Sequence, residues 1–312
     1  MSRRRKHGGL LMSQMRGNGS DRKLTAPKHL GVGVASASHN DRPVSVQQAS
    51  LRTPAILCDQ QQPNWELAMA AKSDERAGWE LIWRRGSDHP RYGSSAAPDP
   101  VVVEWAGSIP RQGFVLDLGC GVGRHMVYLG ERGFRIAGVD ISPSGIRLTR
   151  QTCADRKIDF EAFVSDMNTL PWADETFDAA LSISTIHHNR RERIIQTLTE
   201  VRRVLKPGGL FLADFPCTDT IDYCQMRGQV ALGQLAELER NTFIDHRPDL
   251  DDMDDGFLPH HYCDEADVRD LLDAFEITKL WPSLRASRDG AGVRGKWVAS
   301  ARRPPAGRKL YE

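Results

Sequence analysis

Three glycines at alternate positions follow a short apolar stretch in VLDLGCGVGRH, residues 115–125. Gly119, Gly121 and Gly123 can adopt positive φ angles and can expose bare main chain to a ligand. A pyrophosphate-binding G-x-G-x-x-G loop would place its third glycine one residue later. Because the spacing differs and Asp117 stands two residues before the first glycine, this loop favours a nucleoside without a pyrophosphate linker.

Acidic residues follow the next two apolar stretches. Asp140 ends GVD, 23 residues after Asp117, where a carboxylate can accept hydrogen bonds from both hydroxyls of a ribose. Asp166, followed by Met167, ends VSD at the same expected cleft, where a carboxylate can bind the exocyclic amine of adenine and a backbone N–H can meet a ring nitrogen. The alternatives are a helix-capping role for Asp140 and an Asx turn at Asp166, but the order of the three features favours the nucleoside.

Histidine pairs occur in two later segments, and histidine is the side chain that most often moves protons at neutral pH. His187 and His188, in STIHHNRRER, are candidates for a general base, with His188 preferred; alternatively they only pack against or cap the next helix. His260, His261 and Tyr262, in LPHHYCDE, are expected at the mouth of the pocket as acceptor contacts, or they shape the loop before the following helix.

Six cysteines are spread along the chain without a C-x-x-C pair, which argues against a disulfide scaffold or a zinc finger. Cys217, Cys224 and Cys263 flank the same expected mouth, where soft thiolates could bind zinc or a thiophilic substrate such as arsenite. Their spacing fits no closed zinc motif, so ordinary buried or surface thiols and no metal are expected. Cys120, within the glycine loop, is expected as a small side chain that faces a helix.

Apolar runs that alternate with helical patterns must position these residues. Strands are predicted at Phe114–Leu118, Phe134–Val139, Phe160–Val164, Phe177–Ser184, Gly209–Phe215, Phe275–Trp281 and Lys296–Ala301. Helices are predicted at Arg124–Arg132, Ser144–Arg156, Arg191–Leu205 and Glu265–Ala274. This alternation is typical of a parallel sheet with helices on both faces, and the lack of a helix between the last two strands predicts an antiparallel hairpin at one edge.

Composition divides the chain into a tail and a domain. Residues 1–62 are predicted to be a disordered basic tail because they show no hydrophobic period. The α/β domain is expected over 101–302, and an insert at 216–262 interrupts it. Long insertions at the carboxyl ends of sheet strands usually carry function, so this insert is expected to be a lid or specificity element. Residues 303–312 are expected to be a flexible C-terminus.

A segment between the tail and the domain, residues 63–100, contains amphipathic helical patterns. It is predicted to be a helical lid segment. Trp83 and Tyr92 lie within it, and they are expected either to cover the bound ligand or only to pack against the domain.

The formal net charge of this 312-residue chain is +1, but the charge is unevenly distributed. Residues 1–60 contain ten basic and three acidic side chains, a net +7, so the remainder carries a net −6. An acidic body argues against a nucleic-acid partner unless the tail supplies the charge. No apolar stretch reaches the roughly 18 residues of a membrane helix. A cytoplasmic location is expected, with an organelle transit peptide as the alternative because the tail is rich in arginine and poor in acids.

Four motifs in order, LDLGCGVGRH, GVDIS, SDMNTLPWADETFDAALSISTIHH and LKPGGLFLADF, resemble those of class I S-adenosylmethionine (SAM)-dependent methyltransferases. The resemblance covers roughly residues 101–302. It implies SAM as the cofactor and a Rossmann-like, doubly wound α/β sheet of seven strands in the order 3-2-1-4-5-7-6, with strand 7 antiparallel. It does not indicate the acceptor. Ala274 departs from the pattern, since such families often have a glycine before the sixth strand.

The resemblance also implies roles for individual residues. The glycine loop would lie under the methionine part of SAM, Asp140 on the ribose, and Asp166 with Met167 at adenine, while the main chain of Ile183 and Ser184 would line the pocket. The full set of expected cofactor-binding residues is Asp117, Gly119, Cys120, Gly121, Gly123, Asp140, Ile141, Asp166, Met167, Ile183 and Ser184.

The expected function is transfer of the sulfonium methyl group to a small-molecule acceptor by in-line displacement, for which a protein mainly supplies orientation and a dry pocket. Residues 170–209 also resemble tRNA wobble-uridine methyltransferases, and the basic tail could bind RNA. A catalytically silent SAM-binding subunit is a further alternative, since binding motifs report binding and not turnover. No membrane partner is expected, and the sequence does not indicate an oligomeric state.

Overall fold

The structure is a computed structural model. It describes residues 75–85, 97–245, 255–287 and 290–305. The tail expected over 1–62, Tyr92, and residues 306–312 of the expected flexible C-terminus lie outside these ranges. Within them, no helix is both long and apolar enough to cross a bilayer.

Helices and strands alternate through most of the described chain. The helices are α1 (Glu75–Arg84), α2 (Pro100–Trp105), α3 (Arg124–Gly130), α4 (Pro143–Asp155), α5 (Arg191–Val204), α6 (Ile221–Ala231) and α7 (Glu265–Leu271). The strands are β1 (Phe114–Leu118), β2 (Arg135–Asp140), β3 (Phe160–Val164), β4 (Phe177–Ser182), β5 (Leu205–Pro216), β6 (Leu235–Glu239), β7 (Thr242–Asp245), β8 (His260–His261), β9 (Glu276–Ala286) and β10 (Val293–Arg302).

The main sheet has seven strands in the order β3-β2-β1-β4-β5-β10-β9. Strands β1 to β5 run parallel, whereas β10 is antiparallel to both of its neighbours. Because β9 and β10 are the sixth and seventh strands of the sequence prediction, the predicted order and the antiparallel seventh strand are confirmed. The strand order reverses between β1 and β4, and ligands of open α/β sheets bind at the carboxyl ends of the strands at such a point.

Burial on both faces of the sheet explains its continuous apolar strands. All five residues of β1 are buried. One face packs against α5 and α7, for example through Leu198 and Val268. The other face packs against α2, α3 and α4 through Trp105, Met126 and Ile146. The two apolar layers hold the carboxyl ends of the strands at fixed positions, which is what a binding site there requires.

Two strands on the β5-β10-β9 side of the sheet are longer than the sequence predicts. Strand β5 begins at Leu205 rather than Gly209, and β9 extends to Ala286 rather than Trp281. The ladder between β9 and β10 continues past the apolar residues, so hydrogen bonding rather than hydrophobicity defines the end of β9. Helix α7 ends at Leu271, earlier than the prediction.

The insert, residues 216–262, contains more regular structure than the sequence indicates. The sequence shows one apolar-periodic piece, Val230–Leu238, which the structure divides between the end of α6 and strand β6. Strands β6, β7 and β8 form a separate three-stranded sheet. Buried Leu235, Phe243 and Tyr262 pack together beneath α6. Strands this short contain too few alternating residues for a hydrophobic period to identify them.

Arg303 is held in place although it belongs to the segment expected to be a flexible C-terminus. Its guanidinium donates hydrogen bonds to Glu175 Oε1 at 2.9 Å, to the carbonyl of Arg203 at 3.3 Å and to the carbonyl of Leu205. These contacts fasten the end of β10 to the beginning of β5.

Helix α1, part of the expected lid segment, is fastened to the start of α4 by one carboxylate. Glu80 accepts hydrogen bonds from Ser142 Oγ at 2.6 Å, from the backbone N–H of Ser144 at 2.9 Å and from Ser144 Oγ at 2.8 Å. Ser142 is also the N-cap of α4, since its Oγ accepts a hydrogen bond from the N–H of Gly145. Burial raises the pKa of Glu80, but the hydrogen bonds outweigh burial and lower the pKa to about 2.

We expect Glu80→Gln to lower the free energy of unfolding at pH 7 by about 1–3 kcal/mol, because charge-assisted hydrogen bonds are replaced by neutral ones. The pKa of Glu80 lies below its ordinary value of 4.5. The stabilisation is therefore present above pH 4.5 and is lost as the pH falls towards 2. Denaturant unfolding at pH 7 and at about pH 3 should give a difference between variant and wild type that shrinks at the lower pH.

Glu104→Gln is the matched control, because Glu104 is exposed and forms an ion pair with Lys279 at 3.4 Å. This control should change stability by less than about 0.5 kcal/mol. An equal effect of Glu80→Gln at both pH values would contradict the role assigned to its charge.

Candidate functional site

The glycine loop lies at the carboxyl end of β1, on the wall of a cleft that also reaches the ends of β2 and β4. Gly119, Gly121 and Gly123 have φ angles of 69°, 53° and 79°. A Cβ atom at Gly119 would lie 2.1 Å from the side chain of Thr185, and one at Gly121 would lie 2.6 Å from the ring of Trp83. Side chains at these positions are excluded by both conformation and space, so the loop presents main chain to the cleft.

Asp140 ends β2 with a carboxylate that is 6% exposed. Its Oδ2 accepts a hydrogen bond from the N–H of Gly121 at 3.0 Å, and its Oδ1 accepts one from the N–H of Ser142 at 2.9 Å. A carboxylate has about four acceptor positions, so Asp140, which lines the cleft, can accept further donors. Burial and, to a smaller extent, the charges of Asp117 and Glu80 together raise the pKa of Asp140 to about 6, in spite of these hydrogen bonds.

Asp117 lies beneath the glycine loop and is 2% exposed. Its Oδ2 is 3.8 Å from Nδ1 of His125, too far for a hydrogen bond. In the described ranges, neither this oxygen nor Nε2 of His125 has a hydrogen-bond partner. His125 lines the large cleft, whereas Asp117 does not. A buried carboxylate oxygen without a partner is costly, so the electrostatics beneath the loop favour a cation nearby.

The thiol of Cys120 lies against helix α4. Its Sγ lies 3.5 Å from Oγ1 of Thr149 on α4. Burial raises the pKa of this thiol well above its usual value, and the charges of Asp140 and Asp117 add to the rise. The side chain therefore remains a protonated thiol facing a helix, and any contact of Cys120 with a ligand involves its main chain.

Ile141, Asp166 and Met167 meet around a second, smaller cavity of about 20 Å³ beside the end of β3. Asp166 stands at its rim, where Oδ2 accepts a hydrogen bond from Nη2 of Arg193 at 2.8 Å. Oδ1 of the same carboxylate accepts a hydrogen bond from the N–H of Asn168 at 2.9 Å. The structure thus brings the three expected residues together, with the Asp166 carboxylate already paired to a guanidinium.

The turn after β4 brings Ile183 and Ser184 to the cleft. There Ser184 contacts Asp214 and Lys296, two cleft residues that the sequence did not predict. The N–H of Ser184 donates to Oδ1 of Asp214 at 2.7 Å. Lys296 donates from Nζ to Ser184 Oγ at 2.7 Å and to Oδ2 of Asp214 at 3.0 Å. All four residues line the cleft. An acid near the end of the fifth strand, in LFLADF, is the signal that could have identified Asp214.

His187 and His188 line the part of the cleft nearest His260 and Tyr262, which we name the acceptor end after the sequence expectation for these residues. Each is 4% exposed, and their ring centroids are 4.2 Å apart. The ring of His260 is 4.5 Å from that of His188. Burial lowers the pKa of His187 well below its usual value, and His188 and Lys296 lower it further. His187, His188 and His260, from two segments distant in sequence, therefore share one wall of the cleft.

His261 does not lie with its neighbours, so the expectation that it contacts an acceptor needs correction. Alternate residues of a strand point to opposite faces, and His260 and Tyr262 line the cleft while His261 does not. Its Nδ1 is instead 2.7 Å from Oγ1 of Thr242 in β7. His261 thus joins two strands of the insert.

Two of the three candidate thiols are buried in the described structure. The main chains of Cys217 and Cys263 are paired by an isolated β-bridge. Burial raises the pKa of both thiols, which keeps them protonated and weakens them as metal ligands. Cys224 is exposed on α6.

Trp83 forms part of the cleft wall, as the lid hypothesis for this segment requires. It is 7% exposed and packs with Phe257 and Leu258 from the insert. Its ring lies 6.3 Å from that of Trp79, and both tryptophans line the cleft. The cleft has a volume of about 940 Å³, within the range of small-ligand sites.

Comparison with known families adds an independent observation. Residues 115–209 match the family model described as a methyltransferase domain. Over these residues the chain is similar to methyltransferase domains. The matched region runs from β1 to the beginning of β5, and it includes the glycine loop, Asp140 and the two histidines after β4.

Curated relatives of this chain differ in what their names say they modify. The tRNA (carboxymethyluridine(34)-5-O)-methyltransferase of Xenopus tropicalis is 33% identical over 162 residues, which cover 49% of this chain and 24% of that protein. The sterol 24-C-methyltransferase of Gibberella zeae is 30% identical over 201 residues, covering 54% of this chain and 51% of that protein. The chain thus spans about half or less of the length of these relatives.

A solved structure shares the fold over most of the chain. The 1,6-didemethyltoxoflavin-N1-methyltransferase of Burkholderia thailandensis was solved with 1,6-didemethyltoxoflavin and S-adenosylhomocysteine. It aligns with a TM-score of 0.53 and 19% identity, over 82% of this chain and 93% of that chain.

The close packing of Gly119 can be tested against a glycine with the same backbone conformation and open surroundings. A Cβ at Gly133, whose φ is 83°, would meet nothing within 4 Å. We expect Gly133→Ala to cost about 1–2 kcal/mol from left-handed strain alone. Gly119→Ala should cost at least about 2 kcal/mol more, because its Cβ meets Thr185. Thermal unfolding of both variants measures this difference, and equal losses would contradict the packing argument.

Proposed function

We propose that the methyltransferase domain binds SAM in this cleft and transfers its methyl group to a small-molecule acceptor. The proposal rests on the juxtaposition of bare main chain at Gly119 and Gly121 with the buried carboxylates of Asp117 and Asp140. SAM combines ribose hydroxyls, which donate hydrogen bonds, with positive charges on its sulfonium and ammonium groups. Asp140, a buried carboxylate that can still accept donors, suits such a molecule, and the Asp117 carboxylate beneath the loop adds negative charge near it.

Each part of SAM has candidate partners at the cleft. Asp140 would accept hydrogen bonds from the ribose hydroxyls, in addition to those from its two backbone donors. Ile141 and Met167, which also line the large cleft, would hold the adenine ring there, with Asp166 at its edge. The glycine loop and the turn after β4 would enclose the methionine part, where the negative charge of Asp117 favours a cation.

The chemistry that SAM supplies is a methyl group on a positively charged sulfur, which an acceptor nucleophile takes by in-line displacement. The residues of the chain orient the two reactants and exclude water, as the buried walls of the cleft allow. An acceptor hydroxyl or ammonium group releases a proton during transfer. His187 and His188 are the candidates to receive it, because both line the acceptor end of the cleft.

The depth of the acceptor end favours a small molecule over a macromolecule. Phe243 and Tyr262, both in the insert, are 1% and 5% exposed, and they line the cleft together with the buried His187 and His188. The acidic charge of the chain outside residues 1–60 also disfavours a polyanion. The tRNA-modifying relative supports a second candidate, a tRNA acceptor, which the experiment on acceptor pools below distinguishes.

We expect the affinity for SAM to depend on the protonation of Asp140. Its pKa in the free chain is about 6, above the ordinary value of 3.8. Donation from ribose hydroxyls favours the charged form, so binding should weaken as the pH falls through about 6 and should level off above it. Asp140→Asn should weaken binding about 10- to 100-fold at pH 7 and should remove this pH dependence.

Titration calorimetry at several pH values measures these affinities. Asp178→Asn is the control, because it removes a carboxylate at the opposite end of the sheet, where Asp178 accepts a hydrogen bond from the N–H of Phe114. The control should bind SAM as wild type does. Wild-type affinity in Asp140→Asn would contradict the ribose-binding role.

The acceptor class can be found by incubating the full chain with methyl-labelled SAM and three separate pools: small metabolites, bulk tRNA and protein extract. We expect label to accumulate in the small-molecule pool, and to be lost when S-adenosylhomocysteine is added as a competitor. Label in tRNA would support the second candidate. No label in any pool, together with tight SAM binding, would indicate a subunit without turnover.

A further inference from the structure

Two histidines and one aspartate from separate segments meet at the acceptor end of the cleft. Nε2 of His188, in the turn after β4, lies 4.0 Å from Oδ2 of Asp255. Nε2 of His260, in β8, lies 3.6 Å from Oδ1 of the same carboxylate. One ligand atom from each residue lies within 4.8 Å of the others. We infer that His188, Asp255 and His260 bind one divalent transition-metal ion.

The distances between the histidine nitrogens and the Asp255 oxygens fit ligand atoms of one metal ion better than they fit a hydrogen-bonded pair. Distances of 3.6 Å and 4.0 Å exceed those of ordinary N–H···O hydrogen bonds. Two ligand atoms that each lie about 2.1 Å from an ion are about 3.0–4.2 Å from each other, depending on the ligand–ion–ligand angle. The separations of His188 and of His260 from Asp255 both lie within this range.

The tautomer of His260 supports a cation at this point. Its Nδ1 lies 2.9 Å from the carbonyl oxygen of Leu258. Because a carbonyl only accepts, Nδ1 must carry a proton, and a neutral His260 then turns the lone pair of Nε2 towards Asp255. A lone pair facing a carboxylate is unfavourable unless a cation lies between them. Histidines that bind metals commonly donate their other N–H to a backbone carbonyl in this way.

Burial makes the cluster suitable for a held ion. Asp255 and His188 are 2% and 4% exposed, and the side chain of His260 is 14% exposed. Two imidazoles and one carboxylate favour Zn²⁺ or Fe²⁺ over Mg²⁺ or Ca²⁺, and a set of three protein ligands leaves positions open for another molecule.

The open coordination positions of the ion suggest which methyl acceptors the cleft binds. This suggestion rests on the proposed methyl transfer. An ion on this wall would bind methyl acceptors through their oxygen atoms, such as those of a hydroxyl beside a carbonyl or beside a second hydroxyl. Coordination lowers the pKa of a bound hydroxyl and so prepares it to lose its proton. This assigns His188 a ligand role, and leaves His187 as the histidine of the pair that can receive the proton.

Metal titration of the untagged full chain, first freed of metal by dialysis, tests the inference. Zn²⁺ is followed by calorimetry and Co²⁺ by its visible absorption, with Mg²⁺ as the comparison. We expect one Zn²⁺ or Co²⁺ per chain, and Mg²⁺ binding at least about tenfold weaker. Asp255→Asn and His260→Gln should each weaken Zn²⁺ binding by at least about tenfold to 100-fold.

Asp222→Asn is the matched control, because Asp222 is a cleft carboxylate outside the cluster that pairs with Arg294 at 2.7 Å. The control should bind Zn²⁺ as wild type does. Circular dichroism checks the folding of each variant. If Asp255→Asn does not fold, His260→Gln decides the question. An absence of stoichiometric binding, or binding that the cluster variants leave unchanged, would overturn the inference, and a direct ion pair between His260 and Asp255 would then explain the geometry.

SAM binding distinguishes failure of this inference from failure of the proposed function. None of the three ligands is assigned to SAM, so the metal-free chain should bind SAM within about threefold of the Zn²⁺-loaded chain. A chain that binds Zn²⁺ but not SAM would retain the metal site and lose the proposed function. A chain that binds SAM but no metal would lose only the metal site.

Discussion

A single buried carboxylate connects the parts of the nucleoside end of the cleft. Asp140 accepts one hydrogen bond from the glycine loop and one from the start of α4, and so fixes the distance between the two. Its burial opposes its own charge, as its raised pKa shows. A group that costs stability in the free protein and can still accept donors is characteristic of a site built for a ligand. Glu80 continues the same network from Ser142 to helix α1.

The acceptor end is assembled differently, from segments far apart in the chain. The turn after β4 carries the histidine pair, and the insert returns with Asp255 and His260 to face it. The small sheet of the insert positions this return, because β8 pairs with β7 and the N–H of His261 donates to the carbonyl of His187 at 2.9 Å. The main sheet and the insert thus each supply residues that line the cleft.

The sequence predicts the parts of this molecule that local patterns encode. Buried parallel strands appear in the sequence as apolar runs, and these runs predicted both ends of β1 and of β3 correctly. The strand order follows instead from the family that the motifs resemble. The glycine loop and Asp140 follow because their residue types are required at fixed positions. The three-stranded insert, the contact of Glu80 with α4 and the approach of Asp255 to His188 leave no local pattern, since each depends on long-range packing.

The most direct measurement of the central claim is a crystal structure of the untagged chain grown with S-adenosylhomocysteine. The account predicts the ribose hydroxyls within hydrogen-bond distance of the Asp140 carboxylate, with the adenine between Ile141 and Met167. A nucleoside bound elsewhere, or bound in the cleft without contact to Asp140, would contradict it.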